Sequence, residues 1–124
     1  SAYETGTGPV VAEYGLGSLP YYSIASGFLT GKYVPGITID SPRAKGVEQY
    51  LGARGDAVLT TLADVARAHD VPQAAVALAW LLAQPGITAP LASARTLEQL
   101  ADLLTIANLT LTADEVAALD AVSA

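Results

Sequence analysis

Apolar residues recur at helical spacing through the middle of the chain. Within residues 55–69 they fall three or four positions apart, which predicts an amphipathic helix. The next segment, residues 72–84, is apolar nearly all round, a pattern typical of a helix buried between neighbouring elements. Asp70, two residues before Pro72, predicts the cap at which this second helix begins.

Two further helices are predicted near the end of the chain. Gln99 follows Thr96, and Glu115 follows Thr112, each at the spacing of a capping box. In a capping box the two side chains satisfy free backbone N–H groups of the first helical turn. Apolar residues at helical spacing follow both pairs, so we predict helices that begin near Thr96 and Thr112.

The first part of the chain is less regular. Pro9 predicts an early helix that Gly15 ends, residues 25–40 predict a glycine-containing loop, and residues 47–51 predict one helical turn. Residues 18–23 and 87–92 predict short strands. Strands separated by helical crossovers are typical of a parallel α/β sheet, and two such strands do not form a self-sufficient sheet. We therefore predict an α/β fold that is a segment of a larger parallel barrel or sheet.

Composition and charge exclude several classes of function. The chain has 52% hydrophobic and 15% charged residues, which is typical of a folded domain. A net charge of −6 disfavours nucleic-acid binding, and no apolar run is long enough to span a membrane. The absence of cysteine excludes disulfides and thiolate metal sites, and we predict no metal and a cytoplasmic location.

Two segments resemble the sequence patterns of a known enzyme family. Residues 21–33 read YYSIASGFLTGKY, and residues 90–100 read PLASARTLEQL. The first resembles the pattern Y-S-P-L-A-x-G-x-L-T-G-K-Y of the aldo-keto reductases, and the second resembles that family's I-P-G-A-R-T-x-E-Q-L segment. The residues between them are also similar to the family, so the resemblance covers essentially the whole chain.

This resemblance implies both a fold and an activity. The family reduces small-molecule carbonyl substrates to alcohols by hydride transfer from NADP(H), on a (β/α)₈ TIM barrel. Such barrels often hold phosphate at the loops after strands 7 and 8. Residues 1–124 are accordingly predicted to be the C-terminal segment of one barrel domain, about strands 7 and 8 with their helices. A segment of a barrel exposes strand edges, so we expect the isolated chain to be marginally stable or to associate with another chain.

The first segment supplies the predicted cofactor loop. By position, Tyr21 matches the aromatic residue that stacks on the nicotinamide ring, and Lys32 matches a phosphate-binding lysine. Tyr22 stands where the family usually has serine, so only backbone contacts are expected there. Arg43 is a further candidate for the cofactor. The residues that match the loop around the pyrophosphate are Tyr22, Ser23, Ile24 and Ser26.

The second segment supplies the predicted adenosine end of the site. Ser93 and Arg95 precede a predicted helix, whose N-terminus attracts anions. The family uses this point for the 2′-phosphate, to which Arg95 can add a charge-assisted pair. Gln99 matches a residue near the adenine and its ribose, and Asp102 matches an acid at the same end. Leu103 stands where the family often has asparagine, which removes one hydrogen bond to the adenine.

The resemblance places the catalytic residues outside this sequence. The family's tyrosine, lysine, aspartate and histidine belong to the N-terminal half of the barrel, and we assign no catalytic residue here. His69, the only histidine, is predicted to end a helix, where it suits the helix dipole. The chain alone is therefore predicted to be inactive and to need the missing half or another chain. Two alternatives stay open, namely a non-catalytic cofactor-binding or regulatory subunit, and an inert structural domain.

Overall fold

The computed structural model describes residues 3–33 and 44–124. A π-helical turn (Tyr3–Thr7) opens this part of the chain, and 3₁₀ turns form at Ala25–Thr30, Glu48–Tyr50 and Thr105–Asn108. The α-helices are α1 (Gly8–Glu13), α2 (Ala44–Val47), α3 (Ala53–His69), α4 (Gln73–Ala83), α5 (Leu97–Leu104) and α6 (Ala113–Ser123).

The main core lies where α3, α4 and α6 pack together. Leu62 and Val65 from α3 meet Val76 from α4 and Leu119 from α6, and all four are buried. Residues 74–79 of α4 are buried without a break, because neighbours cover this helix on more than one side. The apolar pattern all round this helix predicted that position, and the structure confirms it.

A smaller cluster holds the loop after residue 24 against the rest of the molecule. Phe28, Tyr33 and Val47 are its buried members, and the Phe28 ring stacks on Tyr50 with the ring centres 5.5 Å apart. Leu29 contacts both clusters. The loop is therefore held in place by its apolar residues.

The junction between α3 and α4 differs from the prediction. Asp70 does not cap α4; it ends α3 in the left-handed conformation, with φ of 53°. The Asp70 N–H donates to the Arg67 carbonyl, and the Val71 N–H donates to the Ala66 carbonyl, as in a Schellman motif. Aspartate tolerates this conformation better than most residues, so it can end a helix as well as begin one.

The predicted α/β class, as a portion of a TIM barrel, is wrong for the part of the chain that the structure describes. Residues 3–33 and 44–124 contain helices and turns but no strand. The pairing of the two predicted strands is a single isolated parallel bridge, Ser18 with Ile87. Pro20 lies in one predicted strand and Pro90 in the other, and proline has no N–H to donate to a ladder.

A few backbone hydrogen bonds join these two stretches. The Ser18 N–H donates to the Gly86 carbonyl, and the Thr88 and Leu91 N–H groups donate to the carbonyls of Ser18 and Pro20. Helices separated in sequence are thus tied at one point rather than by a sheet. None of the helices in the described ranges is long and apolar enough to cross a membrane.

The two predicted capping boxes form to different degrees. At α6 the Thr112 hydroxyl accepts from the Glu115 N–H, and the Glu115 carboxylate accepts from the Thr112 N–H at 2.7 Å. At α5 the Thr96 hydroxyl accepts from the Gln99 N–H, but the Gln99 side chain accepts from the Arg95 N–H instead. The box at Thr112 is confirmed, and that at Thr96 is confirmed for one of its two bonds.

Candidate functional site

The loop after Pro20 has an unusual backbone. Ala25, Ser26 and Gly27 have φ values of 48°, 58° and 94°, so three consecutive residues are left-handed. For alanine and serine this conformation costs energy, and such strain tends to occur at binding sites. Ser23 is buried, and its hydroxyl donates to the Pro20 carbonyl at 2.7 Å. The start of the loop is therefore held by a side-chain bond.

The end of the loop brings a cation beside this strained backbone. The Thr30 hydroxyl donates to the Gly27 carbonyl at 2.7 Å, which closes the turn. The Lys32 ammonium lies 5.0 Å from the centre of the Tyr33 ring. A Cβ at Gly27 would be 3.5 Å from the Lys32 ammonium nitrogen, so the cation lies directly against the glycine backbone.

The second part of the site is the approach to α5. Thr96 is its N-cap, and the Gln99 side chain bends back to accept from the Arg95 N–H at 2.9 Å. This bond ties the residue before the cap to the first turn of the helix. The Arg95 side chain is exposed and stands at the positive end of the helix dipole.

Two adjoining cavities connect these segments. The first, of about 410 Å³, lies between Tyr21, Tyr22 and the segment that includes Leu91. The Tyr21 and Tyr22 rings meet edge to face with centres 4.7 Å apart, and both side chains are exposed. An apolar planar group could therefore lie against an aromatic face here.

The second cavity, of about 250 Å³, shares Ile24, Ser26 and Ser93 with the first. Its wall carries two cationic side chains, Lys32 and Arg95, from segments that are far apart in the sequence. Every predicted site residue in the described part of the chain lines one or both cavities, except Ser23, whose hydroxyl bonds to the chain itself. The nine that line them are Tyr21, Tyr22, Ile24, Ser26, Lys32, Ser93, Arg95, Gln99 and Asp102.

Some lining residues were missed in the sequence. Gly27 and Thr30 belong to the recognised pattern, and the signals that could have identified them are the A-x-G triplet for Gly27 and the T-G-K run for Thr30. Pro72 and Ala74 also line the second cavity, but no local pattern brings the start of α4 to this place. Leu103, singled out as a departure from the family pattern, lines the same cavity. Arg43 lies outside the described residues.

The donor set fits a phosphorylated dinucleotide. Lys32 and Arg95 can neutralise phosphate oxygens, and the hydroxyls of Ser26 and Ser93 can donate to them. Asp102, on the same cavity, suits sugar hydroxyls, because a carboxylate accepts hydrogen bonds but repels phosphate. Together the two cavities fall within the size range of cofactor sites, about 300–1,000 Å³.

Comparisons with known proteins agree on one family. Residues 2–124 match the model of the Aldo/keto reductase family. The Protein tas of Escherichia coli is 30% identical over an alignment of 124 positions that covers 98% of this chain and 36% of that protein. An L-glyceraldehyde 3-phosphate reductase of Escherichia coli is 31% identical over 114 residues, 86% of this chain and 33% of that protein.

A solved structure is similar to this chain in fold. The glycerol dehydrogenase from Gluconobacter oxydans superposes with a TM-score of 0.80 at 22% identity, over 98% of this chain and 38% of that one. This likeness shows that the matched parts share a fold. The chain spans about a third of the length of these relatives.

Proposed function

Because the chain belongs to the aldo/keto reductase family, we propose that it is the NADP(H)-binding part of an oxidoreductase that reduces a small-molecule carbonyl compound to an alcohol. Two similar proteins are named as a glyceraldehyde 3-phosphate reductase and a glycerol dehydrogenase, which act on small oxygenated molecules. The activity belongs to a protein about three times as long, judged by those relatives.

One observation carries this proposal. Two segments far apart in the sequence, the loop at Ser26 and the approach to α5 at Arg95, form the walls of one cavity. Each segment brings one cation, Lys32 and Arg95 respectively. A dinucleotide phosphate has the charge to occupy such a place, because charge-assisted hydrogen bonds from both sides would replace its hydration.

The remaining contacts follow from the two cavities. In this proposal the exposed ring of Tyr21 orients the nicotinamide in the first cavity, and the hydroxyls of Ser26 and Ser93 hold the phosphates where the cavities meet. Arg95 pairs with the 2′-phosphate, while Gln99 and Asp102 lie along the adenosine. When bound, NADPH supplies the hydride for carbonyl reduction.

In this proposal the residues of this chain bind and orient the cofactor. The reaction also needs catalytic residues from another part of the protein. The family's proton-donating tyrosine and its lysine, aspartate and histidine are not assigned in this sequence. Leu16, Leu19 and Leu91, beside the isolated bridge, are about half exposed, at 57%, 55% and 50%. Their exposure supports the proposal that the catalytic part of the protein packs here, and that residues 1–124 alone are inactive.

The test is a comparison of two cofactors in the protein at its natural length. Replacing Arg95 by alanine should weaken the binding of NADPH about 10- to 150-fold. This is the equivalent of losing one charge-assisted pair at about 1.5–3 kcal/mol. NADH, which lacks the 2′-phosphate, should be affected little. Fluorescence titration with each cofactor measures both dissociation constants.

A matched control is available on α3. Arg67 is also exposed and forms a surface pair with Asp64 at 3.1 Å, away from both cavities. Arg67→Ala should leave both dissociation constants unchanged. Equal losses of NADPH and NADH in Arg95→Ala would contradict the 2′-phosphate role, and no binding of either cofactor to the unmodified protein would reject the proposed function.

A further inference from the structure

A third cavity, of about 340 Å³, lies on the other side of the cofactor loop. Its floor is aliphatic, with Leu62, Ala77 and Leu119 contributed by α3, α4 and α6. Phe28, Tyr50 and Trp80 add aromatic surface to its walls. The volume is within the range of small-molecule sites, and the lining is mostly apolar as such sites are.

The aromatic walls are held in place by contacts of their own. Phe28 stacks on Tyr50, with an angle of 25° between the rings. The Trp80 indole N–H donates to the Asp120 carboxylate at 2.8 Å, and the same oxygen accepts from Gln84. The polar edge of the indole is thereby satisfied, so the cavity offers fixed aromatic surfaces to a planar occupant.

The charge that the described lining residues carry is positive. Of the described residues that line this cavity, Arg54 carries the one positive charge and none is acidic. Its guanidinium donates to the Ser123 carbonyl, which engages one of five N–H donors. An arginine at the edge of an apolar cavity can form a paired hydrogen bond with a carboxylate.

We infer that this cavity binds a small aromatic carboxylate, with its ring among Phe28, Tyr50 and Trp80 and its carboxylate on Arg54. Apolar burial supplies the affinity, and the guanidinium selects the anion over a neutral analogue. This assignment concerns a site separate from both cofactor cavities, and its lining shares no residue with theirs.

The loop between the cavities connects them. Ala25 and Phe28 line the aromatic cavity, whereas Ser26 and Gly27, between them in sequence, line the cofactor side. The left-handed run at residues 25–27 is strained. An occupant that packs against Ala25 and Phe28 can therefore change which conformation the whole loop prefers. The effect on the cofactor rests on the proposed function, whereas the binding of the carboxylate does not.

Calorimetric titration with 2-naphthoate and the neutral 2-naphthamide tests the site in the protein at its natural length. The naphthoate should bind, and the amide should bind at least 10-fold more weakly. Arg54→Gln should weaken the binding of naphthoate about 10-fold or more, because one charge-assisted bond is lost, and should leave the binding of the amide unchanged. Arg67→Gln, an equal charge change on the same helix, should have no effect.

A second pair of variants separates binding from folding. Val58→Phe, within the cavity, should reduce the binding of naphthoate and of the amide alike by occupying their space. Ala57→Phe, one residue earlier on the exposed side of α3, should change neither. Thermal melts of both variants should show that they remain folded.

The outcomes separate the two proposals. Absence of naphthoate binding to the folded protein, or equal weakening by Arg54→Gln and Arg67→Gln, would overturn the aromatic carboxylate site. Saturating naphthoate should shift the NADPH dissociation constant at least 2-fold, and no shift would overturn the coupling. Failure of NADPH to bind, with naphthoate still bound at Arg54, would reject the cofactor function alone.

Discussion

The bundle of α3, α4 and α6 and the single helix α5 differ in how far their side chains are buried. The bundle holds a core in which Leu62, Val76 and Leu119 are at most 3% exposed. Helix α5 has no buried residue, and Leu97 on its first turn is 84% exposed. Yet α5 and its approach carry Arg95, Gln99 and Asp102 of the candidate site.

This contrast separates the residues that stabilise the chain from those that we propose to bind the dinucleotide. Side chains in the bundle are committed to each other, so a substitution there changes the folded fraction. Side chains around α5 are free to meet a ligand, and they cost little to exchange. We therefore expect substitutions in the two regions to affect different measurements.

The largest effect on stability should come from Leu62→Ala in the centre of the bundle. Leu62 is 2% exposed and belongs to the core cluster that α3, α4 and α6 form together. Loss of its buried methyl groups and the remaining cavity should cost about 2–5 kcal/mol of unfolding free energy. Denaturant unfolding measures this loss, and a cost under about 1 kcal/mol would show that this core does not control stability.

A smaller effect is expected at the N-terminus of α6. Thr112→Ala removes the side-chain half of a complete capping box and should cost about 1 kcal/mol, within a range of about 0.5–2 kcal/mol. Thr96→Ala, the matched change at α5, should chiefly increase amide hydrogen exchange in α5. If Thr96→Ala destabilises the whole protein as much as Thr112→Ala, α5 is more tightly coupled to the core than its exposure indicates.

Acid should weaken the N-terminal cap of α6 and the contact of α6 with α3. The Thr112 N–H, which donates to the Glu115 carboxylate, lowers the pKa of that carboxyl, with burial opposing and the His69 hydrogen bond reinforcing the shift. A lowered folded pKa means that ionised Glu115 stabilises the fold above its unfolded pKa of about 4.3, and that this is lost as pH falls through the folded pKa.

The variant Glu115→Gln isolates this contribution. Its unfolding free energy should depend less on pH than that of the unmodified protein as the pH falls from about 5 through the folded pKa of Glu115. Asp114→Gln, at the neighbouring exposed position, provides the comparison and should retain the full acid dependence. Identical pH profiles for the unmodified protein and Glu115→Gln would contradict the role of this carboxylate.

The smallest effect should be that of Leu97→Ala on α5. Its side chain is almost fully exposed, so truncation should change the unfolding free energy by no more than about 0.5 kcal/mol. The same unfolding measurement used for Leu62→Ala applies. A cost above about 1 kcal/mol would mean that another part of the protein at its natural length covers α5, and the contrast between the two regions would fail.

The sequence predicted the helices well because their signals are local. The apolar periodicity of residues 55–69 and the Thr112–Glu115 pair act within a few turns of the chain, and both are confirmed. The α/β class failed because a strand is defined by its partners. Residues 18–23 and 87–92 carry the apolar composition of strands, but they meet in one bridge between Ser18 and Ile87.

The candidate site divides in the same way. The family pattern identified Tyr21, Lys32 and Arg95, and the structure brings all three to adjoining cavities, while their cofactor roles remain predictions. The sequence did not predict Pro72 as a site residue, because its position depends on how α4 packs. Ser23 matched the pattern, yet its hydroxyl donates to the Pro20 carbonyl, because a buried hydroxyl needs a hydrogen-bond partner within the chain.

Sequence alone determined the family, the positions of the main helices and the types of residue available to bind a dinucleotide, because these depend on neighbours within a few residues or on a linear pattern. Tertiary structure alone decided that Lys32 and Arg95 face one cavity, and that Arg54 stands at the edge of another. It also reduced two predicted strands to a single bridge. Packing joins segments far apart in the chain, and only the folded arrangement shows which charges meet.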